Sequence, residues 1–294
     1  MWKEHLQLAF TALFWGGAFH AAQIALTIGP PVGVAFVRFS LASCLMLFLM
    51  LHLRRAFPRD GKTLLRSLWS GLFGICFYNL LFFEGLRQTS AINGSLIVAS
   101  NPVITAILLF FWRGERLHAL QLAGALLAFL GVALVILPAD LQALQGNRGD
   151  LLILGSTTCW AVYTILGQKL VQHPGPMVST TLSMFSGTIM LLPFAVQEWS
   201  SEPAGVRWLS SVDLWLAIVY MAVFATTLGY LWWYRGVRAL GPGATSIYIN
   251  LVPVTTMAIS SLRGVTLSAN QLLGSLLVLV GVYLTGRKRS ALPA

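Results

Sequence analysis

The sequence predicts an all-α integral membrane protein of ten transmembrane helices, arranged as two inverted five-helix repeats. Three observations predict it: an extreme apolar composition, ten apolar runs of membrane-crossing length, and an internal repeat. Of 294 residues, 57% are hydrophobic and only 10% charged. Soluble domains carry about 25% charged residues. A chain this apolar cannot cover a water-facing surface, so lipid is the solvent that fits it.

A helix needs about 20 apolar residues to cross a bilayer. The runs that meet this cover 6–28, 33–53, 64–86, 91–112, 119–138, 151–171, 177–197, 212–234, 243–262 and 267–286. Between them lie breakers and charges such as Pro30-Pro31, Arg54 to Lys62, His173-Pro174-Gly175 and Gly241-Pro242. Most links are short, so consecutive helices are antiparallel neighbours. The first run continues apolar to Ile28, too long for the core of a signal peptide, and reads as a retained helix.

The net charge of +10 does not describe a nucleic-acid binder, because the basic residues sit in short clusters between apolar runs. With the N-terminus in the cytoplasm, only Arg87, Arg148, Arg207 and Arg263 fall on the outer side, and Arg38 within a span. That bias predicts a multi-pass plasma-membrane protein, a bacterial inner-membrane protein, with both termini cytoplasmic. Cys44, Cys76 and Cys159 lie in apolar runs without a CxxC partner and read as buried, unpaired thiols.

The two halves resemble each other at a shift of 145 to 151 residues. Trp15 aligns with Trp160 and Gln23 with Gln168. Gly85-Leu86-Arg87 aligns with Gly236-Val237-Arg238, and Ser95 and Pro102 with Ser246 and Pro253. Gln121, Gly124 and Gly131 align with Gln271, Gly274 and Gly281. The first repeat is placed at 1–140 and the second at 141–294. Five spans per repeat is an odd number, so the second half enters the membrane in the opposite direction. Inverted repeats recur in carriers, with the site near the midplane between the halves.

Phe14-Trp15-Gly16-Gly17, Arg38-Phe39, Gly85 through Pro102, Gly114-Glu115-Arg116-Leu117 and Gln121 to Gly131 carry a resemblance to the EamA family of the drug/metabolite transporter superfamily. It covers nearly the whole chain. It implies a ten-helix inverted-repeat fold and, often, export of amino acids or related metabolites. The second half departs from the family pattern with Gly264-Val265-Thr266 where the first has Gly114-Glu115.

All nine acidic residues fall at span ends or in loops, so no carboxylate is placed to carry coupling protons or sodium ions. Uncoupled or gradient-driven transport is the expectation, with His20 as the alternative proton carrier. Arg38, inside the second span, is either an anion contact or a snorkelling outer-end cation. His20 lies on one face with Gly16 and Gln23 and either lines a cavity or makes an interhelical bond. Asn79, Asn101 and Asn250 are amides inside spans; Asn101 precedes Pro102 directly and Asn250 precedes Pro253 by three residues. Those prolines predict kinks, with freed backbone groups open to substrate or to helix contacts.

Among the aromatics, Trp15, Tyr78, Phe82, Trp160, Tyr163, Tyr230 and Tyr248 are mid-span. They are candidates for the wall of a substrate cavity, against simple packing. Trp2, Trp69, Trp112, Trp199, Trp208 and Trp215 near span ends read as interface anchors. Gly124, Ala128 and Gly131, with Gly274 and Gly281, form small-residue stripes suited to close helix approach.

The expected partners are a small-molecule substrate and the lipid bilayer, with no nucleic acid and a monomeric chain. No cofactor or metal is expected, since the histidines are scattered without ligand spacing. Paired intramembrane aspartates are missing, so a membrane enzyme is disfavoured. A phosphorylated-sugar or nucleotide-sugar carrier would need several buried cations, and only Arg38, with Lys169 near a span end, is available.

Overall fold

The computed structural model describes residues 2–114, 119–136, 148–201 and 206–286. Ten helices account for nearly all of them. They are α1 Trp2–Leu26, α2 Pro31–His52, α3 Gly61–Gln88, α4 Ala91–Trp112, α5 Ala119–Ile136, α6 Arg148–Leu170, α7 Pro176–Ser201, α8 Val212–Leu240, α9 Pro242–Leu262 and α10 Ala269–Gly286. Each overlies one predicted span. Eight of them, α1 to α4 and α6 to α9, are long and apolar enough to cross a bilayer. The shorter α5 and α10, of 18 residues each, pack against each other and complete the two sets of five.

The contact pattern maps onto itself when each helix is exchanged for the one five places on. α1 packs on α8 and α9, and α6 packs on α3 and α4; α2 packs on α8, and α7 on α3. The pairs α2–α7 and α5–α10 are their own images. One end of the bundle shows that the exchange reverses direction. There Gln23, late in α1, donates from Nε2 to Thr89 O at 3.4 Å, and Thr89 Oγ1 donates to Asp150 in the first turn of α6. At the same end, Glu198, late in α7, accepts from the amides of Val32 and Gly33 at the start of α2. So α1 opposes α6 and α2 opposes α7.

The small-residue stripes close the α5–α10 seam. A methyl group on Gly281 would lie 2.5 Å from Ala128 N and Gly124 O, and one on Gly131 would lie 2.7 Å from Gly274 O. Without a hydrophobic drive between helices in lipid, such backbone approach is what gains dispersion contact.

Two local deformations repeat. Leu72–Phe77 in α3 and Met221–Leu228 in α8 are wound as π-helix. α4 breaks at Ala99-Ser100, just before Pro102, and α9 narrows to a 3₁₀ turn over Ile247–Asn250, before Pro253. Proline has no N–H for the carbonyl one turn back and crowds it, so the ladder yields on its N-terminal side.

Two expectations change, and some residues singled out fall outside the described set. Trp208 is not an interface anchor: it is 8% exposed and packs on Gly29 and Gly33, whose missing side chains make room for its ring. Cys44 is exposed on the helix surface, whereas Cys76 is buried and Cys159 half-buried. Glu115, Asp140 and Glu202 lie outside the described residues, as does the basic cluster 287–289.

Candidate functional site

Where the repeats meet, a cavity is lined by Trp15, Phe19, Arg38, Tyr78, Phe82, Asn101, Trp160 and Tyr230, with Ala18, Val98, Thr157, Ile249 and Val252 completing the wall. Seven of the twelve side chains singled out from sequence are among these. α1, α2, α3 and α4 contribute from one half and α6, α8 and α9 from the other.

The π-helical segments build the site. A π turn breaks the regular i→i+4 ladder, and such turns recur at functional sites. In α8 the π segment carries the acceptors of two cavity side chains, one a backbone carbonyl and one a side-chain hydroxyl. Trp15 Nε1 donates to Ala225 O at 2.8 Å, and Arg38 Nε donates to Thr226 Oγ1 at 2.7 Å. In α3, Tyr230 OH donates to Gly74 O at 3.3 Å, and Asn79 Nδ2 donates to Ile75 O at 2.7 Å. Each repeat's bulge is therefore tied to an aromatic residue outside it, Trp15 of α1 in one case and Tyr230 of α8 in the other.

The rings form one continuous cluster. Trp160 meets Trp15 edge-on at 5.1 Å, Tyr230 edge-on at 4.9 Å and Tyr78 at 5.3 Å. Tyr78 stacks on Phe82 at 5.4 Å, and Phe82 meets Phe19 at 5.2 Å. Toward the end where His5 lies, Tyr163 stacks on Tyr234 at 4.7 Å, and Trp233 donates from Nε1 to Thr164 Oγ1 at 3.1 Å. These rings seal that side. The cavity volume is about 40 Å³, against about 300–1,000 Å³ for sites holding drug-sized ligands. The described conformation is thus contracted around its site.

Arg38 is 5% exposed. Its guanidinium lies over the rings of Phe39 at 5.1 Å and Phe83 at 5.9 Å. Among the described residues it has no carboxylate partner, and Thr226 accepts its sole hydrogen bond. This excludes the snorkelling alternative, since the side chain faces the cavity. Asn101 spends both ends of its amide on packing: Nδ2 donates to Thr157 O at 3.0 Å, and Oδ1 accepts from Thr105 Oγ1 at 3.3 Å.

The other five sequence candidates lie elsewhere. His20 bridges α1 to α9, with Nε2 donating to Thr256 O at 3.0 Å and Nδ1 facing Arg263 Nη1 at 3.5 Å. It takes the interhelical alternative, because its face of α1 turns toward α9. Tyr248 bonds His5 at the far end of the bundle. Asn250 donates to Ile247 O at 2.8 Å within its own 3₁₀ turn, and Asn79 serves the π turn. Tyr163 belongs to the seal behind the cavity. Phe19, one turn beyond Trp15, and Thr226 were not singled out. Phe19 had a signal in its i+4 spacing from Trp15; Thr226 depends on the π bulge and had none.

Among the described residues no cluster of His, Cys, Asp or Glu could hold a metal ion. Asp150 is 1% exposed but sits at a helix end bonded by Thr89, and Glu84 pairs with Arg87 at 2.8 Å.

Comparison with known proteins agrees with this architecture. A solved crystal structure superposes with a TM-score of 0.70 over 94% of each chain, at 19% identity, which speaks to fold alone. The transporter YyaM of Bacillus subtilis (strain 168), itself uncharacterized, is 34% identical over 95% of this chain and 92% of its own. A probable amino-acid metabolite efflux pump of Salmonella typhimurium is 30% identical over 96% of this chain and 94% of its own. The names of these relatives indicate transport and not catalysis. The profile of the EamA-like transporter family matches twice, over residues 2–137 and 147–287. A multi-pass membrane protein with two matching halves around a seam cavity, this chain belongs to the EamA-like transporter family.

Proposed function

We propose that this chain exports amino acids with large apolar or aromatic side chains, and related metabolites, by alternating access through the seam cavity. The single observation that carries the reading is the aromatic wall built jointly by both repeats, Trp15 and Tyr78 from one and Trp160 and Tyr230 from the other. Rocking one repeat against the other would open that wall to each side in turn. The name of the Salmonella relative supports the substrate class.

Coupling to protons is not part of the proposal. Among the described residues no carboxylate lines the cavity, and the nitrogens of His20 are engaged by Thr256 of α9 and by Arg263 just after it. In this proposal the chain works as a monomer in the bacterial inner membrane; the distribution of basic residues supports cytoplasmic termini. Counterflow in proteoliposomes tests the proposal: a panel of labelled amino acids is offered without an imposed gradient. Uptake driven by trapped large apolar amino acids is expected. Uptake that requires a proton gradient would overturn the uncoupled mechanism, and no uptake of any panel member would overturn the substrate class.

The phosphorylated-sugar alternative gains nothing from the cavity, where Arg38 is the one cation on the wall among the described residues. A catalytic reading gains nothing either, because among the described residues the cavity lining holds neither an acid–base pair nor a nucleophile with a base.

A further inference from the structure

A wall that binds a ligand advertises the ligand's chemistry through the polar groups it leaves unpaired. The inventory here is one-sided. Arg38 uses Nε on Thr226, and its two Nη groups donate to no protein acceptor among the described residues. Trp160, 5% exposed, has its Nε1–H buried with no hydrogen-bond partner among the described residues. Both residues line the cavity. The amide-type acceptors on the same wall are occupied: Thr157 O takes Asn101, and Asn101 Oδ1 takes Thr105; the hydroxyls of Tyr78, Tyr230 and Thr157 are neutral and can serve as donor or acceptor. Among the described residues the wall carries no carboxylate.

A guanidinium in an apolar interior is costly unless paired, and such residues in membrane proteins face partners or pathways. An unpaired buried donor costs about 1–3 kcal/mol. Arg38 and Trp160 together present surplus donors and a positive charge, and nothing of opposite sign. A carboxylate, which accepts only and carries negative charge, satisfies both. An ammonium satisfies neither and finds ring faces and neutral hydroxyls beside a guanidinium of its own sign.

We propose that the cavity binds a small apolar monocarboxylate, its carboxylate on the Arg38 guanidinium with the Trp160 N–H as second donor, and that the substrate's amino group is dispensable. This rests on the reading of the seam cavity as the transport site. It narrows that reading from amino acids to the part of them the wall can recognise. Arg38 supplies the charge and the planar donor fork. The rings of Phe19, Tyr78 and Phe82 supply the surface for the apolar remainder.

Four probes separate the groups: phenylalanine, 3-phenylpropionate, phenylalaninamide and phenethylamine. Binding to the purified full chain in detergent is measured by titration calorimetry. Expected is binding of the two carboxylates, with 3-phenylpropionate at least as tight as phenylalanine, and the two amines weaker by about tenfold or more, the range of a hydrogen bond to a charged group. Arg38→Gln should abolish the preference and Arg38→Lys keep part of it. Because Arg38→Gln could also unfold the chain, Trp160→Phe provides a second arm. It retains a ring but removes the N–H, and should weaken only the carboxylates, several-fold.

Equal or tighter binding of the amines would overturn the proposal. So would binding of none of the four probes, or a carboxylate preference that survives both folded variants. Counterflow with the same probes separates this inference from the carrier reading. Transport of the amines without carboxylate preference keeps the carrier and removes the anion site. Carboxylate binding without transport of any probe keeps the anion site and removes the carrier.

Discussion

Trp15 and Trp160, the pair of indoles that the internal repeat relates, meet edge to face at the seam, with centroids 5.1 Å apart and planes at 87°. Equivalent positions of inverted repeats touch where they lie close to the axis relating the halves. The two rings are not used alike. Trp15 spends its N–H on Ala225 O, whereas that of Trp160 has no partner among the described residues. Inversion thus supplies two similar rings, and the surrounding side chains make one structural and leave the other a free donor.

Trp160 also touches Tyr78, Tyr163, Tyr230 and Trp233. Aromatic pairs contribute about 0.5–1.5 kcal/mol each beyond area burial. Trp160→Ala is expected to lower the melting temperature in detergent clearly and to reduce counterflow by about tenfold or more, while Trp160→Phe keeps the melting temperature near that of the parent. Equal melting temperatures for the Ala variant and the parent would show that the ring cluster does not hold the seam.

The α5–α10 seam tolerates no side chain at Gly281, where a methyl would meet Ala128 N at 2.5 Å. Overpacking of this kind costs about 1–3 kcal/mol. Gly281→Leu should separate the two helices and lower thermal stability. Gly61→Ala, where a methyl meets nothing within 4 Å, should leave stability unchanged or slightly raised. Thermal unfolding of the two variants side by side checks this.

Glu198 holds α7 to α2 by accepting from Gly33 N at 2.7 Å and Val32 N at 3.3 Å. A carboxylate at a helix N-terminus gains from the exposed amides and the macrodipole, typically about 0.3–1 kcal/mol. Glu198→Ala is predicted to raise amide hydrogen exchange at residues 32 and 33 several-fold while leaving exchange at the opposite end of α2 untouched. Protection that persists at both amides would mean that other contacts seat this end of α2.

Asp60 caps α3, accepting from Thr63 N at 2.8 Å, and that bond holds its carboxyl below the usual aspartate value. A lowered native value stabilises the folded cap above the unfolded value, about pH 3.9. The contribution is fully present at neutral pH and is lost as pH falls through the native value. Exchange at the Thr63 amide should therefore rise on acidification, and Asp60→Asn should remove most of that pH dependence. A cap equally protected across the acid range would contradict the assignment.

The spans were legible because each membrane crossing imposes a length and an apolarity that few other structures share. Helices α1 to α10 fall on the ten runs read from hydropathy. The glycine stripe of Gly124 and Gly131 was legible for a similar reason, since close approach of helices demands small residues at helical spacing. Which face of a span turns inward was not legible. In α1, Trp15 reaches the cavity and His20 turns to α9, yet lipid-facing and protein-facing positions are almost equally apolar, so hydropathy cannot tell them apart. The π turns at Leu72–Phe77 and Met221–Leu228 left no local mark, because their cost is offset by partners such as Trp15 and Tyr230 that lie far away in sequence.

By itself, the sequence determined that this chain lives in a bilayer, crosses it in two related sets and places its polar residues sparsely. Those properties follow from solvent and chain length, which act on every residue locally. Only the tertiary structure decided that Arg38 and Trp160 share one cavity, with the Arg38 Nη groups and the Trp160 Nε1 unspent among the described residues. That fact depends on the rotation of seven helices about their own axes, which is fixed by mutual packing and not by any single segment.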